Sequence, residues 1–179
     1  VCRQYLSITK AYGDRSRGLK RFGFTENRPV LMVTGGSSGA QAINKALREA
    51  LPELLKTFDV VHICGKGNLD AALEGTAGYT QLEFVSAELP DIFAACDLVL
   101  SRAGSNALME FQALARPLLL VPYPKGASRG DQILNAQSLE RRGLAHVVAQ
   151  SDLTGDNLPQ LLEKLYENKL KWAEKSLIN

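Results

Sequence analysis

Short unbroken apolar runs alternate along this chain with longer segments whose apolar residues recur every three or four positions. Val30-Leu31-Met32-Val33-Thr34 opens the series as a strand. From about Gly39 to Leu55, the residues Ala42, Ile43, Ala46, Leu47 and Leu51 fall on one face of a helix. Val60-Val61-His62-Ile63-Cys64 reads as a second strand ended by Gly65, Leu69 to Leu73 as a short helix, and Gln81 to Val85 as a third strand. A helix from Leu89 to Ala95, with Pro90 in its first turn, leads into a strand from Asp97 to Leu100. A helix from Ser105 to Leu114 and a strand from Leu118 to Val121, closed by Pro122, come next. They are followed by a helix from Asp131 to Arg142, stopped by Gly143, and a strand from Ala145 to Val148. Asn157 to Glu167 and Asn168 to Ile178 form a helical tail, in which Trp172, Leu170 and Leu177 make a packing seam. Val1 to Lys10 has no clear pattern.

Strands that are apolar throughout, rather than alternating, are buried on both faces. With helices between them they predict an α/β fold: a Rossmann-like, doubly wound parallel sheet of about six strands. Ligands of such sheets lie beyond the carboxyl ends of the strands, so the loops after the strands are where chemistry is sought. Composition narrows this only a little. At 179 residues the chain is one large domain or two very small ones, and its 45% apolar and 22% charged content is that of a soluble globular protein. A net charge of +2 gives no basic field for nucleic acid. Cys2, Cys64 and Cys96 show no metal-ligand spacing and fit a reducing cytoplasm. The chain begins with Val1, and the expectation is a piece of a longer protein whose remainder lies N-terminal.

Three loops carry candidate chemistry. Thr34-Gly35-Gly36-Ser37-Ser38-Gly39-Ala40 follows a strand and opens a helix. Its glycines allow positive φ and close backbone approach, the helix N-terminus offers free N–H groups, and Ser37 and Ser38 add hydroxyls. It is either a phosphate cradle or a bare strand-to-helix turn, and it is neither a Walker A loop nor a GxGxxG fingerprint. Ser101-Arg102-Ala103-Gly104-Ser105-Asn106 repeats that logic, with Glu110 inside the helix that follows. Glu110 is either an acceptor for a ribose diol or a solvated helix glutamate. The loop from Pro122 to Gly130 leads into a helix bearing Gln132 and Asn135, three apart and so on one face, whose amides suit sugar hydroxyls. Asp131 is an N-cap or a further sugar contact. Phe84-Val85 is an apolar platform for a flat base or simply two core residues. His62 reads as a packed core histidine, and His146 also lies in a strand without a nearby nucleophile, so no triad is supported. Asp97 caps or pairs. Lys20, Arg21 and Arg28 read as solvated.

Together and in this order, these motifs resemble the C-terminal, donor-binding domain of the MurG family, the glycosyltransferase family 28 N-acetylglucosaminyltransferases of peptidoglycan synthesis. The likeness spans about Arg28 to Val148 and rests on Gly35 to Ala40, on Ser101 to Ser105 with Glu110, and on Asp131 to Ala136. It implies the C-terminal half of a GT-B fold. Residues 1–27 would be an interdomain segment, 28–150 the UDP-sugar domain and 151–179 the helical tail. It implies a hexosyltransferase that takes GlcNAc from UDP-GlcNAc to lipid I, inverting the anomeric centre, at the inner face of the cytoplasmic membrane. By position, Gly36, Ser37, Ser38 and Gly39 would hold the diphosphate and the Val85 backbone the uracil edge. Gly104, Ser105, Asn106, Ala107, Leu108 and Met109 would line the nucleotide, and Glu110 would bind the ribose. Gln132 and Asn135 would hold the GlcNAc, and Arg102 would orient the second turn or aid the phosphate. Asp131 stands where the family commonly has histidine. No cofactor is implied, and the absence of an Asp-x-Asp pair suits a diphosphate site that needs no metal. The general base and the lipid I site would belong to an N-terminal domain, so the chain alone is expected to bind donor without transferring sugar.

Other readings stay open. One is a different GT-B enzyme of UDP-sugars, such as a glycolipid glycosyltransferase or a UDP-GlcNAc epimerase. Another is a non-catalytic nucleotide-sugar module. An NAD-dependent oxidoreductase is disfavoured, because GxGxxG is missing and Cys64-Gly65 ends the second strand where an acidic residue would be.

Overall fold

The apolar runs at Val30–Thr34, Asp59–Ile63, Leu98–Ser101 and Leu118–Leu120 form strands buried almost throughout. A computed structural model describes residues 13–36, 40–126 and 130–169. Its strands are β1 (Val30–Thr34), β2 (Asp59–Ile63), β3 (Tyr79–Leu82), β4 (Leu98–Ser101), β5 (Leu118–Leu120) and β6 (His146–Val147). They make one parallel sheet in the order β3-β2-β1-β4-β5-β6. The helices are α1 (Arg15–Phe22), α2 (Gln41–Thr57), α3 (Leu89–Ala95), α4 (Ser105–Leu114), α5 (Asp131–Arg141) and α6 (Leu158–Glu167). The chain winds outward from β1 to β3, returns to β4 on the other side of β1, and winds outward again to β6. Connections therefore diverge above β1 and β4 and open a crevice at their carboxyl ends.

Alternate residues of each strand feed two cores. Leu31, Val33, Val60, Leu98, Leu100 and Leu119 pack under α2 and α6. Val30, Met32, Val61, Val99, Leu118 and Leu120 pack under α1, α3, α4 and α5. This is the doubly wound sheet expected from the pattern. The described part of the tail packs on this domain: Leu158, Leu162 and Leu165 of α6 join the α2 core, and Tyr166 meets Phe58 edge-on at 5.8 Å. Trp172 and its neighbours lie outside the described residues.

Several expectations need correcting. The third strand runs from Tyr79 to Leu82, earlier than Gln81 to Val85. Leu82 pairs with Ile63, the last residue of β2, and the chain turns away at Gly65, so nothing remains for Glu83 to Val85 to pair with. The short helix is a single 3₁₀ turn, Ala71–Leu73, capped by Asp70. The pattern gave no helix over Arg15–Phe22. There Asp14 caps α1 by accepting from Arg17 N, and Gly23 ends it at φ 69°. Gly18 brings α1 so close to α3 that a Cβ would stand 2.5 Å from the Asp91 carbonyl oxygen. Arg17 forks onto the Asp91 carboxylate at 2.6 Å, and Arg21 meets Glu88 at 2.8 Å. Arg28, expected in solvent, instead sits 2.9 Å from the buried Asp59 carboxylate and donates to the carbonyls of Leu55 and Phe58 at the end of α2. Asp97 pairs as expected, accepting from Val30 N at 2.9 Å and from Arg15 at 3.2 Å.

His62 is the core histidine its position suggested, fully buried between the Tyr79 hydroxyl and Asn44 Oδ1, each at 2.8 Å. Burial, with the Arg48 charge adding to it, lowers its pKa from 6.5 to about 3. The unfolded chain therefore binds a proton in the window between these values that the folded chain refuses. Stability attributable to His62 is complete above pH 6.5 and falls as pH drops toward 3, by at most about 1.4 kcal/mol per pH unit. Denaturant titrations at successive pH values should show this loss, and the His62 ring carbon resonances should not move between pH 7 and about pH 5.

Candidate functional site

Four loops meet beyond the carboxyl ends of the strands. Gly35 and Gly36 follow β1, Glu83 to Val85 follow β3, Arg102 to Gly104 follow β4, and Val121 to Gly126 follow β5. Between the first two, and against α3 and α4, lies a cavity of about 230 Å3. Met32, Ile63, Phe93 and Phe111 contribute apolar lining; Thr34, Gly36, Glu83, Phe84, Val85, Leu89, Ala107 and Glu110 complete it. Its size is below the roughly 300–1,000 Å3 of whole ligand pockets and suits one ring system rather than an entire sugar nucleotide.

The backbone explains why glycine follows β1. Gly36 sits at φ 87°, and nothing lies within 4 Å of where its Cβ would be. The position is open to a ligand but demands left-handed backbone. Ser37, Ser38 and Gly39 lie outside the described residues. Beyond them Ala40 precedes the first turn of α2 without any side-chain cap, so the leading N–H groups of the helix keep no side-chain partner of that kind.

The second turn distributes its residues in several directions. Gly104 starts α4 at its N-cap. Ala107 and Glu110, three apart, both reach the cavity. Leu108, in contrast, is 4% exposed and packs into the core with Phe111, so its side chain does not line the cavity. Ser105, Asn106 and Met109 are exposed. Burial alone pushes the Glu110 carboxyl above the usual glutamate range, and no ion pair reaches it among the described residues. Its carboxylate thus lines the cavity without a charged partner among the described residues.

Gln132 and Asn135 share a face of α5 as their spacing implied, and both reach neighbouring loops. Gln132 Oε1 accepts from Tyr123 N at 3.3 Å. Asn135 Nδ2 donates to the Ala103 carbonyl at 3.2 Å and to Ser105 Oγ at 3.1 Å. The amide pair therefore stands beside the second glycine turn. Asp131 is the first helical residue of α5, not its N-cap; that place is held by Gly130 at φ 84°, where left-handed backbone favours glycine.

Arg102 is turned inward and is 5% exposed. Its guanidinium donates to the Val121 carbonyl at 3.0 Å and to Gln150 Oε1 at 2.6 Å, and it stacks on Tyr123 at 4.0 Å. It orients the turn by tying the end of β4 to the loop after β5. Phe84 is 71% exposed on the cavity rim, whereas Val85 lines the cavity and also packs against the second core, so only one of the two is a core residue. The pattern did not single out Glu83, Leu89 or Phe93. The last two recur at i, i+4 on α3, a signal that could have paired them with one wall.

Against known families, residues 30–179 match the glycosyltransferase family 28 C-terminal domain. The chain belongs to that family. A Bacillus cereus UDP-N-acetylglucosamine–N-acetylmuramyl-(pentapeptide) pyrophosphoryl-undecaprenol N-acetylglucosamine transferase 2 is 53% identical over 156 residues, covering 87% of this chain and 44% of that protein. The corresponding transferase of Geobacillus thermodenitrificans is 52% identical over 163 residues, covering 91% of this chain and 46% of that one. A crystal structure of Acinetobacter baumannii MurG superposes with a TM-score of 0.71 at 27% identity, over 89% of this chain and 48% of that one. The chain thus spans less than half the length of the curated relatives it matches. The family 28 match runs through the described tail helix α6, in keeping with its packing under the sheet.

In this family 28 domain Arg102 fastens the turn after β4 to the loop after β5 and to Gln150. Arg102→Lys keeps the charge but gives up the planar fork and the stacking. It should cost about 1.5–3 kcal/mol in chemical denaturation, the worth of a hydrogen bond to a charged group, plus the lost ring contact.

Proposed function

We propose that this domain binds UDP-GlcNAc as the donor half of an inverting N-acetylglucosaminyltransferase that acts on lipid I. The observation that carries the reading is Glu110, a carboxylate with open acceptor positions inside a ring-sized cavity at the β1/β4 crevice. A ribose diol offers two hydroxyl donors to such a group. The base would lie against Phe84 and beside the Val85 backbone. The diphosphate would lie over the glycine turn Gly36 to Gly39 and the start of α2, where free N–H groups favour negative charge. Gln132 and Asn135 would receive the sugar hydroxyls from the far side of the second turn, with Gly104 and Ser105 between.

The relatives' names, each a transferase of N-acetylglucosamine from its UDP form, support this choice of donor. In the reaction, the acceptor hydroxyl attacks the anomeric carbon from the side opposite UDP. The carbon–oxygen bond to the diphosphate breaks, and the departing charge gathers where the α2 N–H groups point. The acceptor site and the base that takes the hydroxyl proton would come from the part of the relatives' length that this chain does not span. No described helix is long and apolar enough to cross a membrane.

Calorimetric titration with UDP, UDP-GlcNAc, UDP-glucose and NAD tests the reading. UDP and UDP-GlcNAc should bind. Glu110→Ala should weaken both about 10- to 100-fold, from the loss of charge-assisted hydrogen bonds. Gln132→Ala should weaken UDP-GlcNAc and leave UDP within about twofold, because a sugar contact is absent from UDP. Binding of NAD without UDP would overturn the proposal.

Glu110 must be ionised to accept both hydroxyls. Its carboxyl is raised above the usual 4.5, so UDP affinity should begin to fall, as pH drops, before an ordinary glutamate would titrate. Glu110→Gln should flatten that fall, read by titration at successive pH values.

A further inference from the structure

A chain of buried hydrogen bonds crosses the largely apolar α2 face of the sheet. Asn44, in the opening turns of α2 and 1% exposed, donates from Nδ2 to the Cys64 carbonyl at 2.9 Å. Its Oδ1 faces His62 Nε2, and His62 Nδ1 faces the Tyr79 hydroxyl, both at 2.8 Å. Because the Asn44 nitrogen is committed to Cys64, its oxygen must accept. The imidazole hydrogen therefore sits on Nε2, and Nδ1 accepts from Tyr79. Each donor in the chain has one acceptor. On the same helix face, three residues before and four after, Gln41 bonds the Asn68 side chain and Arg48 bonds the Asn68 carbonyl. The start of α2 is thus fastened by polar side chains to the end of β2 and to the turn beyond it.

Stability alone does not call for such a chain. Apolar groups of the same shape in place of both partners of a buried hydrogen bond are often close to neutral. Hydrophobic burial is non-directional and tolerates a helix that slides or rolls on its sheet. Hydrogen bonds at 2.8–2.9 Å do not tolerate it. What these bonds supply is the place of one helix end, and that end adjoins the glycine turn after β1.

We infer that Asn44, oriented by His62 and Tyr79, is a positioning residue for the donor diphosphate: it fixes the first turn of α2 so that its free N–H groups meet the phosphates. The inference rests on the donor reading above. Asn44 acts through the helix and does not touch the ligand. Its removal should therefore damage recognition of phosphate and spare recognition of the nucleoside, which lies against Glu110, Phe84 and Val85.

The test compares UDP with uridine on the same chain. Asn44→Ala should weaken UDP about tenfold or more, the loss of one hydrogen bond to a charged group, with uridine within about twofold. The triple variant Asn44→Leu/His62→Leu/Tyr79→Phe replaces the three polar side chains by apolar groups and leaves the Cys64 carbonyl without its Asn44 donor. It should regain part of the thermal stability lost in Asn44→Ala and keep the UDP deficit. It also carries the test by itself if the single variant does not fold. Parallel weakening of UDP and uridine, or a triple variant that binds UDP as the unaltered chain does, overturns the inference and leaves the donor reading standing. An unaltered chain that binds neither ligand overturns both.

Discussion

The parallel pairing of β1 with β2 on one side and β4 on the other is the constraint on which the rest depends. Met32 lies opposite Val61 and Val99, and Thr34 opposite Ile63 and Ser101, so three strands end at one level. That shared level sets both glycine turns side by side. It also sends α2 to one face and α4 to the other, which leaves the crevice between them. Slippage of one residue in either pairing would turn Met32 from the cavity to the opposite core and dismantle both layers together.

Polar groups inside this frame are spent on position. Arg102 links β4 to the loop after β5, Arg28 closes the carbonyl end of α2, and Asn44 anchors its amino end. Glu110 is the contrast. It is partly buried, raised by that burial, and uncommitted to any ion pair among the described residues. A half-buried carboxylate left open to a cavity keeps acceptor positions that a ligand's donors can fill.

Much of this was legible in the chain. Leu98 to Leu100 and Leu118 to Leu120 announce buried strands because no polar residue interrupts them, and Ser105 to Leu114 forms the helix its pattern describes. Gly36 and Gly104 fall where strands give way to helices, so the crevice could be placed before any coordinates. What stayed hidden depended on long-range contacts. α1 is only eight residues long, sets just Leu19 and Phe22 against the core, and is held by ion pairs to residues over seventy positions away. Arg28 looked solvated because its partner Asp59 opens a strand that reads as apolar from Val60. Leu108 lies within the resembling stretch, yet helical rotation turns it into the core.

The fit of α1 against α3 has a mechanical side. α1 precedes the family 28 match, but the Gly18 contact and the Arg17 fork make it one piece with the helix that carries Leu89 and Phe93 into the cavity wall. Asp14 N also donates to the Asp91 carboxylate at 2.9 Å, so the start of α1 is pinned to α3 at a second point. The helix ahead of the family 28 match and the wall opposite Glu110 are therefore one packed unit.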